Sequence, residues 1–402
     1  MTRTLVIAGH GMAGHRLAEE LLARDSAGHW RIVILAEEDR PAYDRVALST
    51  LLDGKNPEDL TLAGHDFLTH PRVDLRLRTT VTAIDRARTT VTCQDGTEIG
   101  YDALVLATGS RPFVPPVPGA GLPGTFVYRT VADIDAIRAA ASDADRPAVV
   151  IGGGLLGLEA ANGLRCLGLR PHVVEMAPRL MALQIDEGGA RVLARLIGEL
   201  GVAVHCSSAT AAIEAGPDGR VNAVRLADGT VLEASAVVFA AGVRPRDELA
   251  EPAGLPRGER GGFLVDELCR TDDAAIWAIG ECAAVTGRTY GLAAPGYRMA
   301  ASVADQLTGG NGDPFTGADM STKLKLMGVD VASFGDAFAH TEGAMEYVAH
   351  ATATRYAKLV LGPDGRTLLG GVLAGDARAY TTLRTLTGRP LTAPPEDLLA
   401  AT

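Results

Sequence analysis

Cysteine is scarce and dispersed in this chain of 402 residues: Cys93, Cys166, Cys206, Cys269 and Cys282 never stand in a C-x-x-C pair. That pattern disfavours an iron–sulfur centre, a structural zinc site or a local redox disulfide, and no metal site is expected. Aromatic residues make up only 4%, and lysine occurs only at 55, 323, 325 and 358. No apolar run approaches the length of a transmembrane helix. Met1 to Ala8 lead straight into an apolar strand without a basic leader or cleavage site, so a soluble cytoplasmic protein is expected. The net charge of -11 disfavours nonspecific binding to nucleic acid or to an anionic membrane surface.

What is abundant sets the class. Hydrophobic residues reach 47% and glycines number 47, a mixture suited to close-packed strands, helices and glycine turns in two or three domains. An α/β fold follows. Thr4-Leu-Val-Ile-Ala8 runs into Gly9-His-Gly-Met-Ala-Gly14 and then a helical pattern with Leu17, Leu21 and Leu22 on one side; a second apolar segment, Arg31 to Ala36, ends at Glu37-Glu38. The same grammar returns as Ala148-Val-Val-Ile151, Gly152-Gly-Gly-Leu-Leu-Gly157, a helix through Leu164, and His172-Val-Val174 ending at Glu175. Prolines crowd the stretch from Arg111 to Pro123, which predicts a crossover linker, and the buried strand Val237 to Gly242 ends at a second boundary. The expected domains are 1–113 with 243–313, then 114–242, then a small α+β domain, 314–402, in which Lys323 to Ala332 and Leu368 to Ala374 read as strands.

In each strand, glycine turn and helix, the first glycine (Gly9, Gly152) permits a tight turn. The second (Gly11, Gly154) lets backbone approach a pyrophosphate, and the third (Gly14, Gly157) lets the helix pack closely. Met12 and Ala13, and likewise Leu155 and Leu156, open helices whose free N–H groups and dipole favour an anion. Glu37 or Glu38, and Glu175, stand where an acid can hold a ribose hydroxyl. Two such Rossmann-like units imply two dinucleotides, and the pairing that does chemistry is a flavin with a nicotinamide. Glu175 favours the free 2′-hydroxyl of NADH, while Arg179 lies close enough to keep NADPH open.

Ala107-Thr-Gly-Ser-Arg-Pro112 and Ala241-Gly-Val-Arg-Pro245 resemble the crossover turns of two-dinucleotide flavoprotein reductases with a glutathione reductase-like fold. The stretch Thr271 to Glu281 resembles their late FAD motif, in which Gly280 is followed by an acid facing the ribityl chain; here that acid is Glu281 rather than the more usual Asp. Ala42-Tyr-Asp-Arg45 with Leu48-Ser49, Gly152 to Glu159, Gly280-Glu-Cys-Ala283, Gly291-Leu-Ala-Ala-Pro-Gly-Tyr297 and Lys323 to Asp330 together are similar to the amino-terminal flavin portion of the NADH-dependent assimilatory nitrite reductase large subunit. The resemblance covers essentially the whole chain. It implies FAD and NADH as cofactors, NADPH being less favoured, and an acceptor protein that is a siroheme and iron–sulfur module or a ferredoxin. Family members continue into such cysteine-rich modules, whereas this chain stops at Thr402, so an electron-input part is expected. A reductase of ferredoxin or rubredoxin type stays open, as does a redox-sensing protein that binds FAD and NADH.

By the same resemblance, Glu159 lies on the nicotinamide side of the flavin and orients the carboxamide. Gly296 and Tyr297 open a helix aimed at the flavin's pyrimidine end, Pro295 before them also contacts the cofactor, and Arg45 contacts FAD phosphates or the flavin edge. Each has a plainer reading: a surface glutamate, a Pro-Gly turn, an arginine with a carboxylate neighbour. Ser49 lies where related disulfide, peroxide or coenzyme A disulfide reductases carry a reactive cysteine, so those activities lose their nucleophile. His10 reads as structural, Cys282 as a small buried residue, and Trp30 and Trp277 as core or interface. Dimer or monomer is not legible.

Overall fold

Leu5, Val6, Ile7 and Ala8 are apolar in succession rather than in alternation, and a strand of that kind has to be covered on both faces. In the computed structural model, which describes residues 2–141, 145–326 and 328–400, all four are buried. Their strand, Arg3–Ala8, is the middle of a parallel sheet in the order Ile276–Ala278, Ala103–Leu106, Arg3–Ala8, Trp30–Leu35 and Val73–Arg76. Helix Met12–Arg24 joins the first two strands of the chain, buries Leu17, Ala18 and Leu21, and lies against helix Ala293–Leu307. A three-stranded antiparallel sheet, Val81–Asp85, Thr90–Cys93 and Glu98–Gly100, precedes Ala103–Leu106. Both tryptophans belong to this core, and the Trp30 indole N–H donates to the Leu307 carbonyl at 2.9 Å. These elements make one unit, Met1–Leu48, Lys55–Arg111 and Val243–Ala318.

The other unit comprises Ser49–Gly54, Pro112–Gly242 and Asp319–Thr402. Its parallel sheet runs Ala203–His205, Arg170–Val174, Pro147–Ile151, Ala236–Phe239, Thr125–Val127, and Val149, Val150, Val173, Val237 and Val238 are fully buried in it. An antiparallel sheet of Thr210–Ala215, Val221–Leu226 and Val231–Glu233 follows strand Ala203–His205 in the chain. The carboxy-terminal segment builds a five-stranded antiparallel sheet in the order Thr322–Leu326, Val329–Gly335, Leu368–Ala374, Tyr356–Leu361, Met345–Ala351. Helix Glu187–Glu199 lies against the middle of that sheet. The approach is close enough that a Cβ at Gly188 would fall 2.2 Å from the Tyr356 ring and one at Gly189 2.8 Å from Val372.

The single strand expected from Lys323 to Ala332 is two. Gly328, at φ +79°, turns the chain, and Thr322–Leu326 pairs antiparallel with Val329–Gly335. Met327, part of the Lys323 to Asp330 motif, lies outside the described residues. Among the described residues no helix is long and apolar enough to cross a membrane.

Candidate functional site

Each unit places one glycine turn between the middle strand of its parallel sheet and the helix that follows that strand. Gly9 and Gly152 take φ +112° and +118°, and a Cβ there would lie 2.3 Å from the Ala107 carbonyl oxygen and 2.4 Å from that of Ala240. A Cβ at Gly14 would lie 2.3 Å from the Gly9 oxygen, and at Gly157 1.9 Å from the Gly152 oxygen. Backbone contact thus excludes a side chain at all four. Gly11 and Gly154 differ: each caps its helix with extended backbone, neither supplies a capping side chain, and a Cβ on either would meet nothing within 4 Å. The first-turn N–H groups after each therefore open on free space with no side-chain acceptor, which fits a pyrophosphate in both units.

In the first unit, Ala107, Thr108 and Gly109 continue from strand Ala103–Leu106. Thr108 Oγ1 donates to the Arg246 carbonyl at 2.6 Å, and the Gly109 carbonyl accepts the Arg246 N–H at 2.9 Å. Glu281, in the turn Gly280–Cys282, accepts from Ser110 Oγ at 2.6 Å. The helix expected to open at Gly296-Tyr297 begins earlier, at Ala293, so Pro295 and Gly296 are buried in its first turn. Proline is tolerated there because first-turn N–H groups have no partner within the helix. Gly296 serves proximity: a Cβ would fall 3.2 Å from the Ala13 Cβ and 3.3 Å from the Gly280 Cα. Glycine turn, late FAD-type motif and helix start thus converge at one place.

Both acids beyond strand Trp30–Leu35 are paired. Glu38 accepts from the Tyr43 hydroxyl at 2.8 Å and binds Arg45, and Glu37 takes Arg246 Nη2 at 2.9 Å. Arg45 is half-buried, its guanidinium 4.8 Å from the Tyr43 ring centre. His10 is buried and its pKa falls to about 3, through desolvation first and neighbouring His15 second. Its Nδ1 accepts the Ala42 N–H at 3.2 Å and its Nε2 lies 3.3 Å from His15 Nδ1, so a neutral His10 fastens the Ala42 loop to the helix. Cys282 is fully buried, with Sγ 3.3 Å from the Leu106 and Ile279 carbonyls.

In the second unit, Glu175 accepts the Gly153 N–H at 2.6 Å and the Ala177 N–H at 2.7 Å. Arg179 turns onto its own loop, Nε donating to the Ile185 carbonyl at 3.1 Å and Nη2 to that of Ala182 at 3.3 Å. Gly242, at φ +107°, lies beyond strand Ala236–Phe239. Glu159, on helix Leu155–Cys166, is half-buried, and desolvation lifts its carboxyl to about 7. Beside it stands Tyr128, 3% exposed, its hydroxyl pushed up by burial first and by the Glu159 charge second, with Ser49 adjacent. No sequence spacing links these three residues. Tyr128, Asp186 and Lys358 drew no reading from the sequence, although the rarity of lysine was a usable signal for the last.

Residues 3–305 match the family described as pyridine nucleotide-disulphide oxidoreductase. The chain is 52% identical to the nitrite reductase [NAD(P)H] large subunit of Klebsiella oxytoca, over 98% of this chain and 41% of that protein. It is 43% identical to the nitrite reductase (NADH) large subunit of Escherichia coli, over 94% of this chain and 45% of that protein. It therefore spans less than half the length of either. Among solved structures, a ferredoxin reductase for the CYP199A2 system from Rhodopseudomonas palustris superposes with a TM-score of 0.87 at 28% identity, covering 100% of both chains.

Proposed function

Because the chain belongs to the pyridine nucleotide-disulphide oxidoreductase family, a family of flavin- and nicotinamide-dependent oxidoreductases, we propose that it carries electrons from NADH through FAD to a redox partner. The acceptor is a siroheme and iron–sulfur module of nitrite-reducing machinery. One observation carries the reading: each unit holds an uncapped glycine turn built to the same tolerances and opening on free space. The likeness to nitrite reductase large subunits supports the choice of acceptor.

We assign FAD to residues 1–113 with 243–313, the nicotinamide nucleotide to 114–242, and partner or subunit contacts to 314–402. The N–H groups following Gly11 bind the FAD pyrophosphate, and Glu38 or Glu37 holds its ribose. Gly280, Glu281 and the start of helix Ala293–Leu307 take the rest of the flavin, where the helix dipole favours the negative charge of the reduced ring. In the second unit the turn at Gly154 binds the pyrophosphate of NADH, and Glu175 selects its free 2′-hydroxyl. The flavin, when bound, supplies a centre that accepts a hydride and passes its electrons on. Glu159 orients the nicotinamide carboxamide, and positioning is what a hydride step most needs. Ser49 offers no thiol, so electrons have no disulfide route through this position.

A second reading, a reductase of ferredoxin type, is favoured by full-length superposition on the R. palustris enzyme. Anaerobic stopped-flow separates the possibilities. The flavin-loaded protein is mixed with NADH or NADPH, loss of visible flavin absorbance is followed, and a siroheme protein or a ferredoxin is then added. Fast bleaching by NADH with reoxidation by the siroheme protein supports the main reading; reoxidation by ferredoxin alone supports the second. A flavin that neither nucleotide bleaches would overturn both and leave a redox-sensing binding protein.

A further inference from the structure

Lys358 is one of only four lysines, and it is 2% exposed on strand Tyr356–Leu361 of the carboxy-terminal sheet. Its Nζ lies 2.8 Å from Asp186 Oδ2 and 2.5 Å from Glu346 Oε1. The Tyr356 hydroxyl donates to the same Asp186 oxygen at 2.8 Å. The other oxygen, Oδ1, accepts the Gly189 N–H at 3.0 Å and caps helix Glu187–Glu199. Both carboxylate oxygens are thus committed, and a compact ammonium with three donors suits this position better than a planar guanidinium.

Asp186 closes the loop that begins at Glu175, and that loop is interlocked with the second glycine turn. The Met181 N–H donates to the Gly153 carbonyl at 2.9 Å, while the Gly153 N–H donates to Glu175. Arg179 Nε holds the carbonyl of Ile185, the residue before Asp186. Leu180 and Ile185 are buried, and a Cβ at Gly153 would lie 2.7 Å from the Leu180 side chain and 2.9 Å from the Glu175 Cβ. One unbroken set of contacts therefore runs from the carboxy-terminal sheet through Asp186 to the strand-end acid and the glycine turn.

We propose that Lys358 is a positioning residue for the nicotinamide nucleotide: by holding Asp186, it fixes the 176–185 loop and with it Glu175 and Gly153. Resting on the NADH reading of this unit, it assigns the carboxy-terminal sheet a part in nucleotide affinity through the Asp186 loop. Loss of the ammonium leaves Asp186 partly buried without its counter-charge, and the loop loses its anchor.

Lys358→Met and the milder Tyr356→Phe are compared with the wild-type, flavin-loaded protein by calorimetric titration with NAD+, by steady-state kinetics with NADH, and by limited trypsinolysis after Arg179. Lys358→Met is expected to weaken NAD+ binding and raise KM for NADH about tenfold, with kcat at saturation within about twofold and flavin content unchanged. Cleavage after Arg179 accelerates, while cleavage after the exposed Arg366, in the turn between strands Tyr356–Leu361 and Leu368–Ala374, does not. Tyr356→Phe shifts affinity in the same direction, by about two- to threefold. Unchanged affinity and unchanged cleavage in both variants overturn the assignment. So does equal acceleration at Arg179 and Arg366 accompanied by flavin loss, which marks general loosening. A wild-type protein that binds no NAD+ would overturn the NADH reading itself, and is told apart because the parent is already silent.

Discussion

The Glu175 carboxylate accepts the Gly153 N–H at 2.6 Å, so the acid beyond one strand of the second unit grips the glycine turn beyond its neighbour. In the proposed nucleotide site, recognition of a ribose and of a pyrophosphate would thereby be tied to one local geometry. Arg179, the cation nearest in sequence, spends its donors on the Ile185 and Ala182 carbonyls, which leaves the carboxylate as the charge that a 2′-phosphate would meet.

Glu175→Ala is expected to lower kcat/KM for NADH about tenfold and to raise the NADPH-to-NADH preference by a similar factor, since both a charge-assisted contact and a repulsion are removed. Steady-state kinetics with the two nucleotides measure it. A preference that stays where it was would mean that the acid does not read the 2′ position.

Glu159 makes a distinct prediction about pH. Its carboxyl stands raised to about 7 by desolvation, against a value near 4.5 when unfolded, so the folded state holds the proton more tightly. Between those two values the folded protein binds more protons than the unfolded, and stability falls as pH rises. The loss levels off above pH 7 at about 3 kcal/mol, at roughly 1.4 kcal/mol per unit. Glu159→Gln, which cannot ionise, is expected to flatten the decline in Tm between pH 5 and pH 8 and to be more stable than the parent at pH 8. A parallel decline in both proteins would place the titration elsewhere.

Two alanine substitutions in one turn should behave in opposite ways. A Cβ at Gly157 lies 1.9 Å from the Gly152 carbonyl oxygen, whereas one at Gly154 meets nothing within 4 Å. Gly157→Ala is expected to cost about 3 kcal/mol or more of stability, as backbone has to move. Gly154→Ala should keep its Tm within about 2 °C yet bind NAD+ at least about tenfold more weakly, because the methyl occupies the space a pyrophosphate needs. Thermal melts and calorimetry distinguish the two; a Gly154→Ala protein with parental affinity would remove that turn from the nucleotide site.

The parallel sheets were legible because Leu5 to Ala8 and Ala148 to Ile151 are apolar without alternation, and the turns because only glycine survives at Gly9, Gly14, Gly152 and Gly157. What escaped depended on partners distant in sequence. Gly296 reads as a helix opening, with a Pro-Gly turn as the plainer alternative, yet the helix begins at Ala293 and the residue is glycine because Ala13 and Gly280 press against it. Glu159 meets Tyr128 and Ser49 only after the chain folds. The strand expected from Lys323 to Ala332 looked continuous because apolar residues flank Gly328 on both sides, and only its positive φ makes it a hairpin. Lys358 lies in the fully buried strand Tyr356–Leu361, where pattern alone would place an apolar residue.

Thiol chemistry supplies the last test, because the proposed electron path uses no thiol and all five cysteines are free. Burial pushes the Cys269 thiol up to about 12, with Asp266 and Cys282 adding to it, and raises those of Cys93 and Cys282. Cys206 is raised as well, by desolvation first and Glu175 second. Reaction needs both exposure and thiolate, so these four are slow and the exposed Cys166 is the site that alkylates. Brief iodoacetamide treatment of the native protein followed by peptide mass spectrometry should find the label on Cys166, with NADH-dependent reduction of an artificial acceptor retained. Activity lost in step with labelling at any cysteine would bring a thiol into the electron path and overturn the direct transfer from flavin to acceptor proposed here.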